Sequence, residues 1–301
     1  MGRKTTAFRL AHPVTAPRRF RKRAFSARHQ LYGMQNASTR YPSDLHDSEW
    51  QLRQPLLPAA AKRGRPRERD WRAMLDGIFY LLRSGCAWRL LPKEFGPWST
   101  VHDYYRRWRR QGVWAQINHT LRQKVRVAAG KTDEPSGAIL DSQSIKTGAQ
   151  ACASGYDAGK KIEGRKRHVV VDTLGLLLWV IVGPANVQDR DGARPLLQAV
   201  IQRFSTLRKI WADSGYAGAL VQWFQEQVGT RVCVLEIVRR LEGVSGFHIL
   251  PKRWLVERTL GWLVKSRRLA RDYETAPQSS ESMIYLTLIR LMLKRLANAT
   301  P

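Results

Sequence analysis

Residues 165–184 read RKRHVVVDTLGLLLWVIVGP. Two runs rich in Val, Ile, Leu and Trp flank a tight turn near Thr173–Gly175, and this pattern predicts two strands joined as a hairpin. Asp172 falls beside that turn, where an acid commonly stabilises the backbone. Upstream, SGAILDSQS (136–144) predicts a strand ending at Asp141. Downstream, a helix is expected over Gly192–Phe204, a strand in RKIWADSG (208–215), a helix in AGALVQWFQEQVG (217–229) and a strand in RVCVLEIVRR (231–240). LVERTLGWLVKSRRLARDY (255–273) and SSESMIYLTLIRLMLKRLAN (279–298) read as closing helices. Strands alternating with helices imply an α/β domain around a mixed sheet.

The region before the hairpin has a different texture. GKTDEPSG (130–137) reads as a linker, and from 44 to about 128 the pattern is helical. Asp47 is placed to N-cap a first helix that Pro55 and Pro58 close. Asp70 is placed to cap WRAMLDGIFYLLRSG, whose apolar Trp71, Met74, Leu75, Ile78, Phe79 and Leu82 recur at helical spacing, with Gly85 as the stop. After a loop holding Pro92, Gly96 and Pro97, Ser99 opens STVHDYYRRWRRQG, and VWAQINHTLRQKVRVAA (113–129) forms a further helix. A helix, a Gly-containing turn and an Arg-rich helix resemble a helix-turn-helix, with Tyr104, Arg106, Arg107, Arg109 and Arg110 available to DNA. The division expected is therefore a basic arm over 1–40, a helical DNA-binding domain over 41–130 and a catalytic domain over 131–301. Residues 1–40 carry ten Lys or Arg and no acid, too little apolar surface to bury.

Composition narrows the function classes. The 301 residues hold 52 Lys and Arg against 24 acids, a formal charge of +28. Such a field attracts polyanions without regard to sequence and weakens in salt. Cys86, Cys152 and Cys233 are isolated, which argues against a disulfide framework or a zinc site. The longest apolar run, residues 174–183, is too short to span a bilayer. The expectation is a soluble cytoplasmic protein that acts on nucleic acid.

Acid inside so basic a chain suggests metal chemistry. Asp141 and Asp213 follow apolar runs at strand ends, and Glu257 lies in a helical stretch. Three clustered carboxylates repel one another unless a cation joins them. A pair of Mg²⁺ or Mn²⁺ ions so held suits phosphodiester cleavage. Pattern alone leaves Asp157, Asp172, Asp189 and Asp191 open as alternatives.

The choice narrows through a resemblance. YPSDLHDSEW (41–50), LLRSGCAWRLLPKEFGPWSTVHDYYRRW (81–108), LDSQSIKT (140–147), GYDAGKKIEGRKRHVVVDTLGLLLWVIVGPANVQDRDGA (155–193), ADSGYAG (212–218) and LPKRWLVERTLGWLVKSRRLARDYE (250–274) resemble the insertion-sequence transposases of the IS-five family. The resemblance implies a helical DNA-binding region followed by an RNase H-like domain with a D-D-E triad of Asp141, Asp213 and Glu257. It also implies a native start at Met34. Arg253 matches a family arginine four residues before the glutamate. Val264 stands where a lysine is usual, with Lys265 one position on and Arg258 and Arg268 as substitutes. Lys146, Arg165, Lys166, Arg167 and His168 are expected along the DNA path. Double-stranded DNA, as terminal inverted repeats and target, is the implied partner, bound by a homodimer. Rival readings are a nuclease of the same fold that cuts without joining and a DNA-binding relic without catalysis.

Overall fold

The computed structural model describes residues 41–58, 70–238 and 253–299. The basic arm over 1–40 and Met34 lie outside the described residues. Residues Ser43–Pro301 form one compact unit.

Among the described residues four helices come first: α1 (Asp47–Arg53), α2 (Trp71–Ser84), α3 (Trp98–Arg110) and α4 (Val113–Ala128). The Asp70 carboxylate accepts from the Arg72 and Ala73 amides and caps α2, as its sequence predicts. Gly85 ends that helix in the left-handed region at φ 75°, a conformation a Cβ would strain. The first cap differs from expectation. His46 is the N-cap of α1, Glu49 closes a capping box onto the His46 amide, and Asp47 is the first helical residue. Residues 85–97 connect α2 to α3 through two short 3₁₀ turns, longer than the 3–4 residues of a helix-turn-helix. The expected linker at 130–137 is clamped to α4, because Arg126 donates to the Thr132 carbonyl and Arg122 pairs with Glu134.

Among the described residues the sheet has six strands: β1 (Gly137–Lys146), β2 (Gly155–Asp157), β3 (Ile162–Asp172), β4 (Leu177–Pro184), β5 (Lys209–Asp213) and β6 (Val234–Val238). Its order is β2-β3-β1-β5-β6, with β4 also paired to β3. β1 runs antiparallel to β3 and parallel to β5, so the sheet is mixed. The predicted hairpin is β3–β4, turning at Thr173–Gly175. The strand expected to end at Asp141 instead continues to Lys146, because β3 pairs with it to Gly164.

Helices α5 (Asp189–Arg203) and α6 (Ala219–Val228) cover one face. Leu140, Val170 and Leu178 meet Leu196, Leu197, Val200 and Phe224 there, all nearly inaccessible. A Cβ on Gly192 would lie 2.2 Å from the His168 imidazole, so glycine lets α5 approach β3 this closely. Helix α7 (Arg253–Val264) packs on β1, β3 and β5. The single helix expected over 255–273 breaks after Val264, and a short α8 (Arg267–Ala270) follows. The long α9 (Pro277–Ala299) packs against α4 and β4, joining the helical region to the sheet. Among the described residues no helix is long and apolar enough to cross a membrane.

Candidate active site

Strand register brings the first two acids together. Ile139 pairs with Trp211 in the parallel β1–β5 ladder. Asp141 and Asp213 each follow two residues later, so pleat alternation sends both to one face of the sheet. They stand where the β1–β5 ladder ends, at the carboxyl end of β5, the edge where open α/β sheets bind ligands. Helix α7 supplies the third acid. Its first residue, Arg253, places Nη2 3.4 Å from an Asp213 oxygen and 3.4 Å from a Glu257 oxygen. The guanidinium therefore links a strand-end carboxylate to a helical one, four residues along α7.

The three acids differ in setting. Asp141 is half-buried and accepts the Ser142 amide at 2.7 Å. Burial chiefly, then the Asp213 charge, push its carboxyl up to about 6, against the Ser142 amide, Arg253 and Lys160. Asp213 accepts the Gly215 amide at 2.9 Å and so caps a 3₁₀ turn over Ser214–Tyr216. The Glu257 side chain is 49% exposed and reaches into solvent.

All three acids are hard oxygen donors, the type that Mg²⁺ and Mn²⁺ prefer. Among the described residues no group of three or more His, Cys, Asp or Glu side chains is gathered closely enough to hold a metal ion. Mg²⁺ needs only one or two protein carboxylates and keeps its waters. The Asp141–Asp213 pair meets that need, and a cation there would relieve their repulsion.

Behind the acids lies a network that sequence reading missed. The Ser142 hydroxyl donates to Asp189 at 2.9 Å and the Ser144 hydroxyl donates to Asp157 at 2.5 Å. Lys166 bridges the two aspartates at 2.9 and 3.3 Å and also donates to the Val187 carbonyl. Alternation along LDSQSIK carries the available signal, since it turns Ser142 and Ser144 to the face opposite Asp141.

Several residues expected on DNA are internal. Arg165 and Arg167 are fully buried, because β3 is central and both its faces are covered. Arg165 pairs with Asp272 at 3.3 Å and donates to the Glu274, Cys152 and Thr275 carbonyls. Arg167 donates to the Leu269 carbonyl, and burial pulls its guanidinium down to about 10. Lys166 is 5% exposed and committed to its aspartates. His168 is buried, which pulls its imidazole down to about 4 and keeps it neutral. None of these four reaches solvent as a DNA contact must. Arg268 is likewise buried between Glu274 and the Cys86 carbonyl. Arg258 lies between the Trp254 and Trp262 rings, 4.5 and 4.6 Å from their centres, and donates to the Leu174 carbonyl.

Others stay accessible. Lys146 is exposed at the end of β1, and Lys265 is exposed just past the end of α7. On α3, Arg107 and Arg110 are exposed, Arg106 is half-buried, and Arg109 donates to the Ser279 hydroxyl. Tyr104 packs on Trp71 and Trp108 and carries Arg107 over its ring at 5.3 Å.

Comparison with known proteins finds matches in the helical region and over the sheet. Residues 45–118 match the family described as "Putative transposase of IS4/5 family (DUF4096)", and residues 132–293 match "Transposase DDE domain". The "Insertion element IS402 uncharacterized 16.2 kDa protein" of Burkholderia cepacia is 38% identical over 111 residues, 34% of this chain and 72% of that protein. "Uncharacterized protein y4sN" of Sinorhizobium fredii is 29% identical over 101 residues, 29% of this chain and 81% of that protein. The "Putative transposase for insertion sequence element IS402" of Burkholderia cepacia is 33% identical over 121 residues, 37% of this chain and 54% of that protein. No solved structure matches. With more than half its length inside the DDE domain and its helical region inside the IS4/5 family, the chain belongs to the IS4/5-type DDE transposases.

Proposed function

We propose that this transposase binds the terminal inverted repeats of an insertion sequence, cuts a DNA strand at the element end and joins the freed 3′-hydroxyl to target DNA. The observation that supports this most is the meeting of Asp141, Asp213 and, through Arg253, Glu257 from three separate elements at one sheet edge. The mixed sheet with helices on its faces suits an RNase H-like fold. In this reading residues 41–130 bind DNA and 131–301 carry the chemistry, in a DNA-bound homodimer in the cytoplasm at the nucleoid. The IS-five branch is the assignment its motifs favour.

Asp141 and Asp213 would hold the metal ions, and Glu257 would complete their ligands. Two Mg²⁺ or Mn²⁺ ions, when bound, supply an activated attacking oxygen and a neutralised leaving oxygen. Asp141 must be ionised to serve as a ligand. Arg253 holds Asp213 and Glu257 near each other before DNA arrives and offers the phosphate a positive partner. Lys146 and Lys265, both exposed, offer further positive charge to the DNA, and Arg106, Arg107, Arg109 and Arg110 add phosphate contacts from α3.

The test is cleavage and joining of a labelled duplex carrying the inverted repeat that flanks this gene, in Mg²⁺ or Mn²⁺, with wild type beside Glu257→Gln. Nicking at the repeat boundary and joined product, both lost in the variant, are expected. Nicking without joining would make the chain a nuclease, and tight binding without any cut would make it a DNA-binding relic.

A further inference from the structure

A cavity of about 550 Å³, whose lining includes none of the three acids, lies between the helical region and the segment that follows α7. Its walls come from both: Trp88, His102, Tyr105, Arg106 and Arg109 on one side, Arg268, Tyr273 and Glu274 on the other. The volume is that of a site for a small aromatic ligand.

Its lining is unusual in two ways. Three aromatic rings form one wall, with Trp88 4.8 Å from His102 and 5.2 Å from Tyr105 between ring centres. Three guanidinium groups face a single carboxylate, and that carboxylate is already paired, since Arg268 Nε donates to Glu274 at 2.7 Å. Arg109 spends one nitrogen on Ser279, and Arg106 has no hydrogen bond or ion pair with a described residue. The cavity therefore holds positive charge beside flat rings. His102 reports the same field: its imidazole is pulled down by burial first, then by Arg106, with Arg109 and Arg268 adding and Asp103 opposing. Tyr273, also in the lining, is 49% exposed.

We infer that this cavity receives a single unpaired nucleotide of the bound DNA strand, its base against the Trp88–His102–Tyr105 wall and its phosphate on Arg106 and Arg109. A base within a duplex is stacked on both sides and paired at its edge, so it cannot enter a cavity of this size without leaving the stack. Stacking on aromatic rings beside arginine is how single-stranded bases are held without reading their sequence. The inference rests on the DNA-binding reading above but not on what the carboxylates do.

The test uses the full chain in EDTA, so that no cutting intervenes. Affinity is read by fluorescence anisotropy for two duplexes of one sequence, one fully paired and one with a single unpaired thymidine. Wild type is expected to prefer the second about tenfold, as loss of one stacked base implies. Trp88→Leu should erase the preference and Trp88→Phe restore most of it. A 5-iodouracil at the unpaired position should cross-link to the cavity wall, Trp88 or Tyr273, in the unsubstituted protein. That readout stands even where Trp88→Leu does not fold. Equal affinity for the two duplexes, or cross-links mapping elsewhere, would overturn the inference while leaving DNA binding intact. Failure to bind either duplex would remove the DNA-binding reading and the cavity's role together.

Discussion

Asp172 and Asp141 lie on the paired strands β3 and β1, and the fold treats them in opposite ways. Asp172 is inaccessible, pairs with Arg126 at 2.8 Å and accepts the Leu174 and Leu176 amides that shape the hairpin turn. Asp141 receives one amide from its own neighbour and faces Asp213 across the β1–β5 ladder. The same division runs through the cations. Arg165, Arg167 and Arg268 are buried and bonded, whereas Arg107 and Arg110 stand in water. Where a charge is buried and bonded, the group supports the fold. Where charges are left opposed or open, the site can take a ligand.

The largest effect that probes this contrast is catalytic. Asp213→Asn should lower cleavage of an inverted-repeat duplex by about 10³-fold or more, roughly 4 kcal/mol in barrier, with DNA affinity nearly unchanged. Equal loss of cutting and binding would move Asp213 to the structural side of the division. Next is the opposite substitution. Asp172→Ala leaves the Arg126 guanidinium buried without its carboxylate, so denaturant unfolding should show a loss of about 3–5 kcal/mol. A loss below about 1 kcal/mol would mean that the hairpin does not depend on this pair.

A smaller effect separates the two kinds of arginine. Arg107→Ala with Arg110→Ala should weaken DNA binding several-fold at low salt and flatten the salt dependence by about one slope unit for each phosphate left without its arginine. Arg165→Met should instead lower the melting temperature and leave the salt slope of the folded protein as it was. A change of salt slope in Arg165→Met would place that residue on DNA after all.

That reversal shows where sequence was legible. RRWRR on α3 and RKRH on β3 look alike as letters. The first lies on a helix with a solvent face, so its charges reach water. The second lies in a strand between β1 and β4, covered by helices above and below, and its partners Asp272 and Glu274 are a hundred residues away. No local pattern announces such a pairing. The hairpin, the Asp70 and Gly85 caps and most elements were readable because periodicity and turn residues are local. The end of β1 was not, because a strand stops where its neighbour stops. The three acids were singled out by resemblance, and register then set two of them side by side.

The smallest expected effect tests the strain at Asp141 directly. Its carboxyl is raised from 3.8 to about 6, first by burial and then by Asp213. Below pH 3.8 the group is protonated in both folded and unfolded chains and costs nothing. Between 3.8 and 6 the unfolded chain releases its proton first, so stability falls as pH rises. Above 6 both states are ionised, and the folded state bears the whole cost. Asp141→Asn removes that charge and keeps an oxygen to accept the Ser142 amide. In EDTA at pH 8 the variant should therefore be more stable than wild type by about 1–2 kcal/mol, seen as a melting temperature higher by a few degrees. The gain should vanish at pH 3. A variant less stable than wild type at pH 8 would mean that Asp141 is held by partners as Asp172 is, and the distinction between the two acids would fail.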